Sequence, residues 1–311
     1  PSIVKWGGQW LMSFRVVRDE NNNSKSIPNI SSASIMDIGL IYLDDELNPI
    51  SDPLFIFLDH PNKKRPYLLA EDARLVVNDE HLYLIYSANK EAEIEDSGFR
   101  VYVAQLGRDE EDNLFCIHNE CLSFFEGVNS NKREKNWTPF IYQSELLLSY
   151  QIFPHKIFRP LLDGSECCET VANSLPSLIW EWGELRGGTP ALLLNKDYYL
   201  GIFHSSTYLN TIHSNNQHIP HYFMGAYLFS SSPSFEIKYI SPEPIIGPNF
   251  YHGLTYEPYW HPVCVVFPCG LVINENEIWV IYGRQDHEIW IAKLDKKKLI
   301  ASLIPVSTLL E

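Results

Sequence analysis

Five segments of this chain repeat one pattern: an apolar strand, a short polar turn, and a second strand closing on an aromatic residue. They cover residues 3–15, 75–87, 140–151, 192–204 and 271–283. The turns hold Gly7-Gly8, Asn78-Asp79, Gln143-Ser144, Asn195-Lys196 and Asn274-Glu275. Gly, Asn and Asp suit tight hairpins because they tolerate positive φ. The second strands, QWLMSFR, HLYLIYS, ELLLSYQ, YYLGIFH and EIWVIYG, align without gaps and place Phe14, Tyr86, Tyr150, Phe203 and Tyr282 at the same position. Further strand-like runs lie between the hairpins, at 38–43, 99–106, 223–229 and 288–294. A hairpin with one or two outer strands is the unit of a propeller blade. The chain is therefore expected to be all-β: a single five-bladed β-propeller domain over residues 1–311, with a central pocket on its axis. A β-sandwich would not explain five hairpins in matching register, and no long amphipathic helix is visible.

Equivalent strand positions should face alike. The residue after each repeated aromatic is Arg15, Ser87, Gln151, His204 or Gly283. Either the strands simply end there, or these residues form a polar ring at one mouth of the axial tunnel.

Four clusters flank the hairpins. Glu71-Asp72-Ala73-Arg74 precedes the second; adjacent negative charge raises a carboxyl pKa and an Arg lowers it, so such a group can tune an acid. The run from Lys132 to Phe140 precedes the third, and its Trp137 is either a sugar-stacking ring or a blade plug. The run from Trp180 to Pro190 precedes the fourth; its Gly187-Gly188 could let backbone N–H groups approach a ligand, and Arg186 could grip an oxyanion. Asp286 follows the fifth and could accept from sugar hydroxyls.

Composition limits the partners. The formal net charge of −15 argues against a nucleic-acid backbone, which needs a basic face. No apolar run reaches the length of a membrane helix, and no signal-peptide pattern opens the sequence. The 6 Cys show no C-x-x-C pair and no zinc spacing. Reduced thiols, a cytoplasmic location and no metal are expected. The 8 Trp and 17 Tyr fit a large β core and equally fit sugar binding.

The ordered motifs E-D-A-R, K-N-W-T-P-F, R-G-G-T-P with F-H-S, and F-P-C-G-L followed by I-Y-G-R-Q-D resemble the mannoside phosphorylases and hydrolases of glycoside hydrolase family 130. They also resemble the related β-1,2-mannosyltransferases and phosphorylases of glycosyltransferase family 108. The likeness runs from about residue 14 to about residue 294 and is strongest over 265–286. It implies a five-bladed propeller acting on β-mannosides by inverting phosphorolysis or transfer through mannose 1-phosphate. Phosphate or mannose 1-phosphate would be the co-substrate, with no cofactor. Asp72 then matches the catalytic acid. Arg15, Arg186 and His204 match phosphate ligands. Lys135, Asn136 and Asp286 match the sugar subsite, and Arg74, Trp137, Thr189 and Tyr282, within or beside the same motifs, are expected to line it. Gln151 stands where many phosphorylases carry Arg; His155 is the expected compensation. Ala73 replaces the usual Pro, and Asn136 a frequent Asp. An inverting hydrolase is the alternative. It would need a second carboxylate roughly 6.5 to 9.5 Å from the acid, from Glu181, Glu184 or Glu257. A non-catalytic sugar-binding propeller is the other alternative.

Overall fold

In each of the five repeats, the second strand begins at the residue where the aligned pattern begins: Gln9, His81, Glu145, Tyr198 and Glu277. The computed structural model describes residues 1–18, 35–55, 69–79, 81–89, 98–110, 113–129, 132–174, 180–253 and 264–309. Blade 1 comprises β1 (Ser2–Trp6), β2 (Gln9–Arg18) and β3 (Ile35–Leu43). Blade 2 comprises β4 (Ala70–Asn78), β5 (His81–Asn89), β6 (Phe99–Arg108) and β7 (Leu114–Leu122). Blade 3 comprises β8 (Thr138–Tyr142), β9 (Glu145–Gln151), β10 (His155–Pro160) and β11 (Cys168–Ser174). Blade 4 holds β12 (Arg186–Gly187), β13 (Leu192–Leu193), β14 (Tyr198–Asn210), β15 (His218–Ser230) and β16 (Ile237–Ile240). Blade 5 holds β17 (Val266–Ile273), β18 (Glu277–Arg284) and β19 (Glu288–Asp295). A short helix, α1 (Lys296–Ser302), then leads to β20 (Ile304–Pro305), which returns to pair with β16 of blade 4.

Within each blade the hairpin strands pair antiparallel, as alternating apolar positions and tight turns require. Gly7 (φ 58), Gly8 (φ 84), Asp79 (φ 50), Gln143 (φ 49) and Ser144 (φ 61) supply the positive φ expected of three turns. The fourth is closed differently: the Asn195 side chain accepts from the backbone N–H groups of Asp197 and Tyr198. The innermost strands ring the axis: β1 packs on β4 and β17, β4 on β8, and β13 on β17. The five sheets thus form a five-bladed β-propeller.

Each seam between neighbouring blades has its own apolar cluster, and each repeated aromatic fills a different one. Tyr86 lies between blades 1 and 2, Tyr150 between 2 and 3, and Phe203 between 3 and 4. Tyr282 lies between 4 and 5, and Phe14 between 5 and 1. The repeated aromatic is thus a wedge that sets blade against blade, burying large apolar area where two sheets face.

Two local expectations are corrected. Glu71-Asp72-Ala73-Arg74 does not precede the second hairpin but belongs to its first strand, β4. In the fourth repeat only Leu192 and Leu193 pair as a first strand. None of the six cysteines forms a disulfide. No described helix is long and apolar enough to cross a membrane.

Candidate active site

The site grows out of a defect in β4. Glu71 pairs with Ser87 and Arg74 with Ile85, so two residues, Asp72 and Ala73, stand opposite Tyr86 alone. Such a β-bulge re-aims side chains. Asp72 takes φ 59, in the left-handed region, which Asp tolerates better than most residues but which still costs about 1 kcal/mol or more. Neighbours hold the bulge in place. The Ala73 carbonyl accepts from Ser13 Oγ at 3.0 Å and from Cys269 Sγ at 3.7 Å. The Asp72 carbonyl accepts from Arg74 Nη1 at 2.8 Å.

Around Asp72, elements of all five blades meet. Arg15, near the outer end of β2, donates from Nη2 to Asp286 Oδ1 at 2.6 Å, and its Nη1 lies 3.7 Å from Glu71 Oε2. Lys135 Nζ donates to Glu71 Oε1 and sits 3.8 Å above the Phe99 ring. Asp286 is presented by a turn with Gln285 at φ 51 and Asp286 at φ 54. Gln285 anchors that turn, its Oε1 accepting from the Val265 N–H at 2.7 Å and its Nε2 donating to the Tyr251 carbonyl at 3.1 Å. Phe14, Arg15, Asp72, Phe267, Gly283 and Asp286 border a cavity of about 110 Å³.

The three carboxylates differ in environment. Burial, and then the charge of Asp72, push Glu71 above the usual carboxylate range, while Lys135 and Arg15 hold it down. Burial also raises Asp286, against the pull of Arg15. Burial alone would lower the Arg15 pKa, but Asp286, Asp72 and Glu71 together raise it. Asp72, unlike the other two, has no ion pair or side-chain hydrogen bond among the described residues.

His204 stands directly across from Arg186 in the strand pairing, packed 4.5 Å from the Phe267 ring. Burial first, then Arg74 and Arg186, against Asp72, push its pKa down to about 3. It therefore enters the site as a neutral imidazole, not as the cation a phosphate clamp would use. Arg186 is about half exposed and is paired with Glu184 at 2.9 Å; a pair so exposed is worth only about 0–1 kcal/mol and is readily exchanged.

Several expected ligands sit elsewhere. Trp137 is 1% exposed, enclosed by Phe125, Tyr150 and Phe158, so it is the blade plug and offers no open face to a sugar. Tyr282 is the seam wedge of blades 4 and 5, against Phe250. Thr189 is buried, its Oγ1 accepting from the Ile202 N–H. His155 is in the core: Ser149 Oγ lies 3.0 Å from Nε2 and the Phe235 carbonyl 2.6 Å from Nδ1. Both ring nitrogens are engaged, so it cannot replace the charge missing at Gln151, which is exposed and donates to the Phe153 carbonyl. Ser87 is buried. The polar ring read from the strand ends is therefore partial, with Arg15, His204 and Gly283 bordering the site.

Arg74 also differs from its expected role. It is 1% exposed and donates to the carbonyls of Gly188 at 2.5 Å, Asp72 at 2.8 Å and Gly187 at 3.3 Å, and to Asn136 Oδ1 at 3.4 Å. It braces three blades from beneath the site. The Gly-Gly pair serves the same joint rather than a ligand. A Cβ on Gly187 would lie 2.1 Å from the Asn136 carbonyl oxygen, and one on Gly188 2.3 Å from that of Ile202.

Sequence reasoning passed over Phe267, Phe99 and Tyr222. Tyr222 stacks near-parallel on His204. Burial raises its pKa, with Arg186 lowering it and Asp286 and Asp72 adding to the rise. Of the candidate hydrolytic carboxylates, Glu181 is exposed, Glu184 is tied to Arg186, and Glu257 lies outside the described residues. Among the described residues no three His, Cys, Asp or Glu form a group able to hold a metal.

Comparison with known proteins bears out the resemblance read from the motifs. The glycoside hydrolase family 130 model, described as β-1,4-mannooligosaccharide phosphorylase, matches residues 199–303, from the start of blade 4's hairpin to the end of α1. No curated protein matches the chain in sequence. Among solved structures, a glycosyl hydrolase from Bacteroides ovatus aligns with TM-score 0.63 at 16% identity, covering 98% of this chain and 86% of its own. A β-1,2-mannobiose phosphorylase from Listeria innocua, in complex with β-1,2-mannobiose, aligns with TM-score 0.60 at 14% identity, covering 97% and 90%. A mannose phosphorylase from Leishmania mexicana, in complex with phosphate ion, aligns with TM-score 0.55 at 13% identity, covering 97% and 85%. At these identities the likeness is one of fold.

Proposed function

We propose that this protein acts on β-mannosides by inverting phosphorolysis, or by the reverse transfer from mannose 1-phosphate, with Asp72 as the acid. The observation that carries the reading is the contrast among three clustered carboxylates. Glu71 and Asp286 are engaged by Lys135 and Arg15, whereas the carboxyl of Asp72 is left to a substrate at the cavity wall.

In the forward direction Asp72 protonates the departing glycosidic oxygen. The bond from that oxygen to the anomeric carbon breaks. A phosphate oxygen forms the new bond from the opposite face, giving α-mannose 1-phosphate. The proton that phosphate gives up restores Asp72. Arg15 and Arg186 are the cations assigned to the anion in this scheme; to bind it, each exchanges a carboxylate partner for phosphate. Neutral His204 contributes a hydrogen bond at most. Lys135, Asn136 and Asp286 stand at the sugar side, Lys135 holding Glu71 and Asp286 holding Arg15 until substrate enters. No cofactor is needed in this scheme.

The test is incubation with β-1,2- and β-1,4-mannobiose, with and without inorganic phosphate. Mannose 1-phosphate should form only with phosphate and should vanish in Asp72→Asn. Undiminished turnover in that variant, or free mannose released without phosphate, would overturn the assignment.

A further inference from the structure

Among the described residues, blade 4 carries the longest hairpin: β14 and β15 each span 13 residues. Beyond His204, which pairs with Met224, the ladder continues through Ser206 with Tyr222, Tyr208 with Pro220 and Asn210 with His218. Directly paired residues, and every second residue along a strand, share a face. Arg186, His204, Tyr208, His218 and Tyr222 therefore lie on one face of this hairpin, the face that begins at the pocket wall.

On that face the rings form a track. Phe267, at the cavity, touches His204 with ring centres 4.5 Å apart. His204 stacks on Tyr222 at 6.2 Å and 13°. Tyr222 pairs with Ser206, two residues before Tyr208, so the two tyrosines are diagonal neighbours on this face. Tyr208 meets His218 at 5.5 Å and is 60% exposed. A core role does not account for an aromatic ring so open to solvent. The four residue steps from His204 to Tyr208 cover about 13 Å at the usual strand rise, room for about two to three sugar rings.

We infer that this hairpin face is a distal oligosaccharide subsite, on which Tyr208 and Tyr222 stack the sugar rings of mannooligosaccharides longer than a disaccharide. A tyrosine suits the task because its ring covers the apolar C–H face of a sugar while its hydroxyl stays in water. The inference rests on the proposed function for the identity of the sugar. Its continuity with the cavity, and the polar rim of Asn210 and His218, favour a carbohydrate over a protein partner.

The experiment is calorimetric titration of Asp72→Asn, with and without Tyr208→Ala, using mannobiose and mannotetraose of both β-1,2 and β-1,4 linkage. For one linkage the tetraose should bind about tenfold tighter than the biose, a difference of about 1.4 kcal/mol, within reach of one stacking ring. Tyr208→Ala should abolish that advantage and leave the biose unchanged; Tyr208→Phe should keep most of it. A tetraose with no advantage, or an advantage that survives Tyr208→Ala, overturns the inference. Because binding is read in a variant made to be turnover-deficient, the result stands apart from phosphorolysis by the unsubstituted protein. Turnover without a tetraose advantage sinks the subsite alone, and a Tyr208-dependent advantage without turnover sinks the catalytic reading alone.

Discussion

Replacing Arg74 by Met keeps the length of the side chain and removes every donor. Two short charged hydrogen bonds disappear, to the Gly188 carbonyl at 2.5 Å and the Asp72 carbonyl at 2.8 Å, together with longer ones to Gly187 and Asn136. Bonds from a charged group are worth about 1.5–3 kcal/mol each, and a buried carbonyl left bare costs about 1–3 kcal/mol. Against this, Met relieves the burial of a guanidinium that has no carboxylate hydrogen-bonded to it, a relief that can be considerable. With three carbonyls losing their donor, the unfavourable side wins, and the net loss should be about 3 kcal/mol. At about 2–3 °C per kcal/mol for a chain of this size, the thermal midpoint should fall by about 6–9 °C. The assay is thermal unfolding followed by near-ultraviolet circular dichroism at fixed protein concentration. A fall under about 2 °C would refute the reasoning, because it would mean that the carbonyls find other partners and that Arg74 is not the brace between blades 2, 3 and 4.

Two further outcomes are expected. His155 is buried and neutral, its pKa pushed down to about 4 from an ordinary 6.5; the unfolded chain takes up that proton first, so stability falls as pH falls, by about 3 kcal/mol between pH 6.5 and pH 4. His155→Leu should flatten the pH dependence of the urea midpoint over that window, and an unchanged slope would contradict it; Glu71 and Asp286, with raised pKa values, act in the opposite sense, their contribution fading as pH rises. Gly187→Ala would press a methyl against the Asn136 carbonyl oxygen, 2.1 Å away without adjustment, so it should destabilise by about 1–3 kcal/mol or more, and a wild-type denaturation midpoint would show that the joint is looser than drawn.

The blades were legible because their central strands alternate regularly and close through short turns, both local properties. That is why Gln9, His81, Glu145, Tyr198 and Glu277 could be placed as strand starts. The bulge at Asp72 was not legible: its left-handed backbone is held by Ser13 and Cys269, far away in sequence, and nothing in E-D-A-R signals them. The part played by Gly187-Gly188 stayed open for a similar reason, since a glycine that admits a ligand and one that admits a neighbouring carbonyl look the same in one dimension. Trp137, Thr189 and Tyr282 flank the right motifs but face the seams, and facing depends on blade twist. The motif order did bring Arg15, Asp72, Lys135, Asn136, Arg186, His204 and Asp286 into one region of the fold. The track through Tyr222 and Tyr208 had a faint signal, aromatic residues on one face of an overlong hairpin, that period-two reading could have found.

The path of the chain fastens its blades unevenly. After blade 5 it turns back through α1 and adds β20 to blade 4, so that seam is crossed in both directions. Among the described residues, no strand of blade 1 joins the sheet of blade 5. That seam is held by the apolar group of Ile3, Ile41, Leu43, Val272 and Ile281 and by Arg15 reaching Asp286. The cavity lies at this same seam. A sugar or phosphate lodged there would act as a clasp between the first and last blades, and by mass action would favour the closed ring. Occupancy of the pocket and integrity of the propeller would then be two readings of one equilibrium.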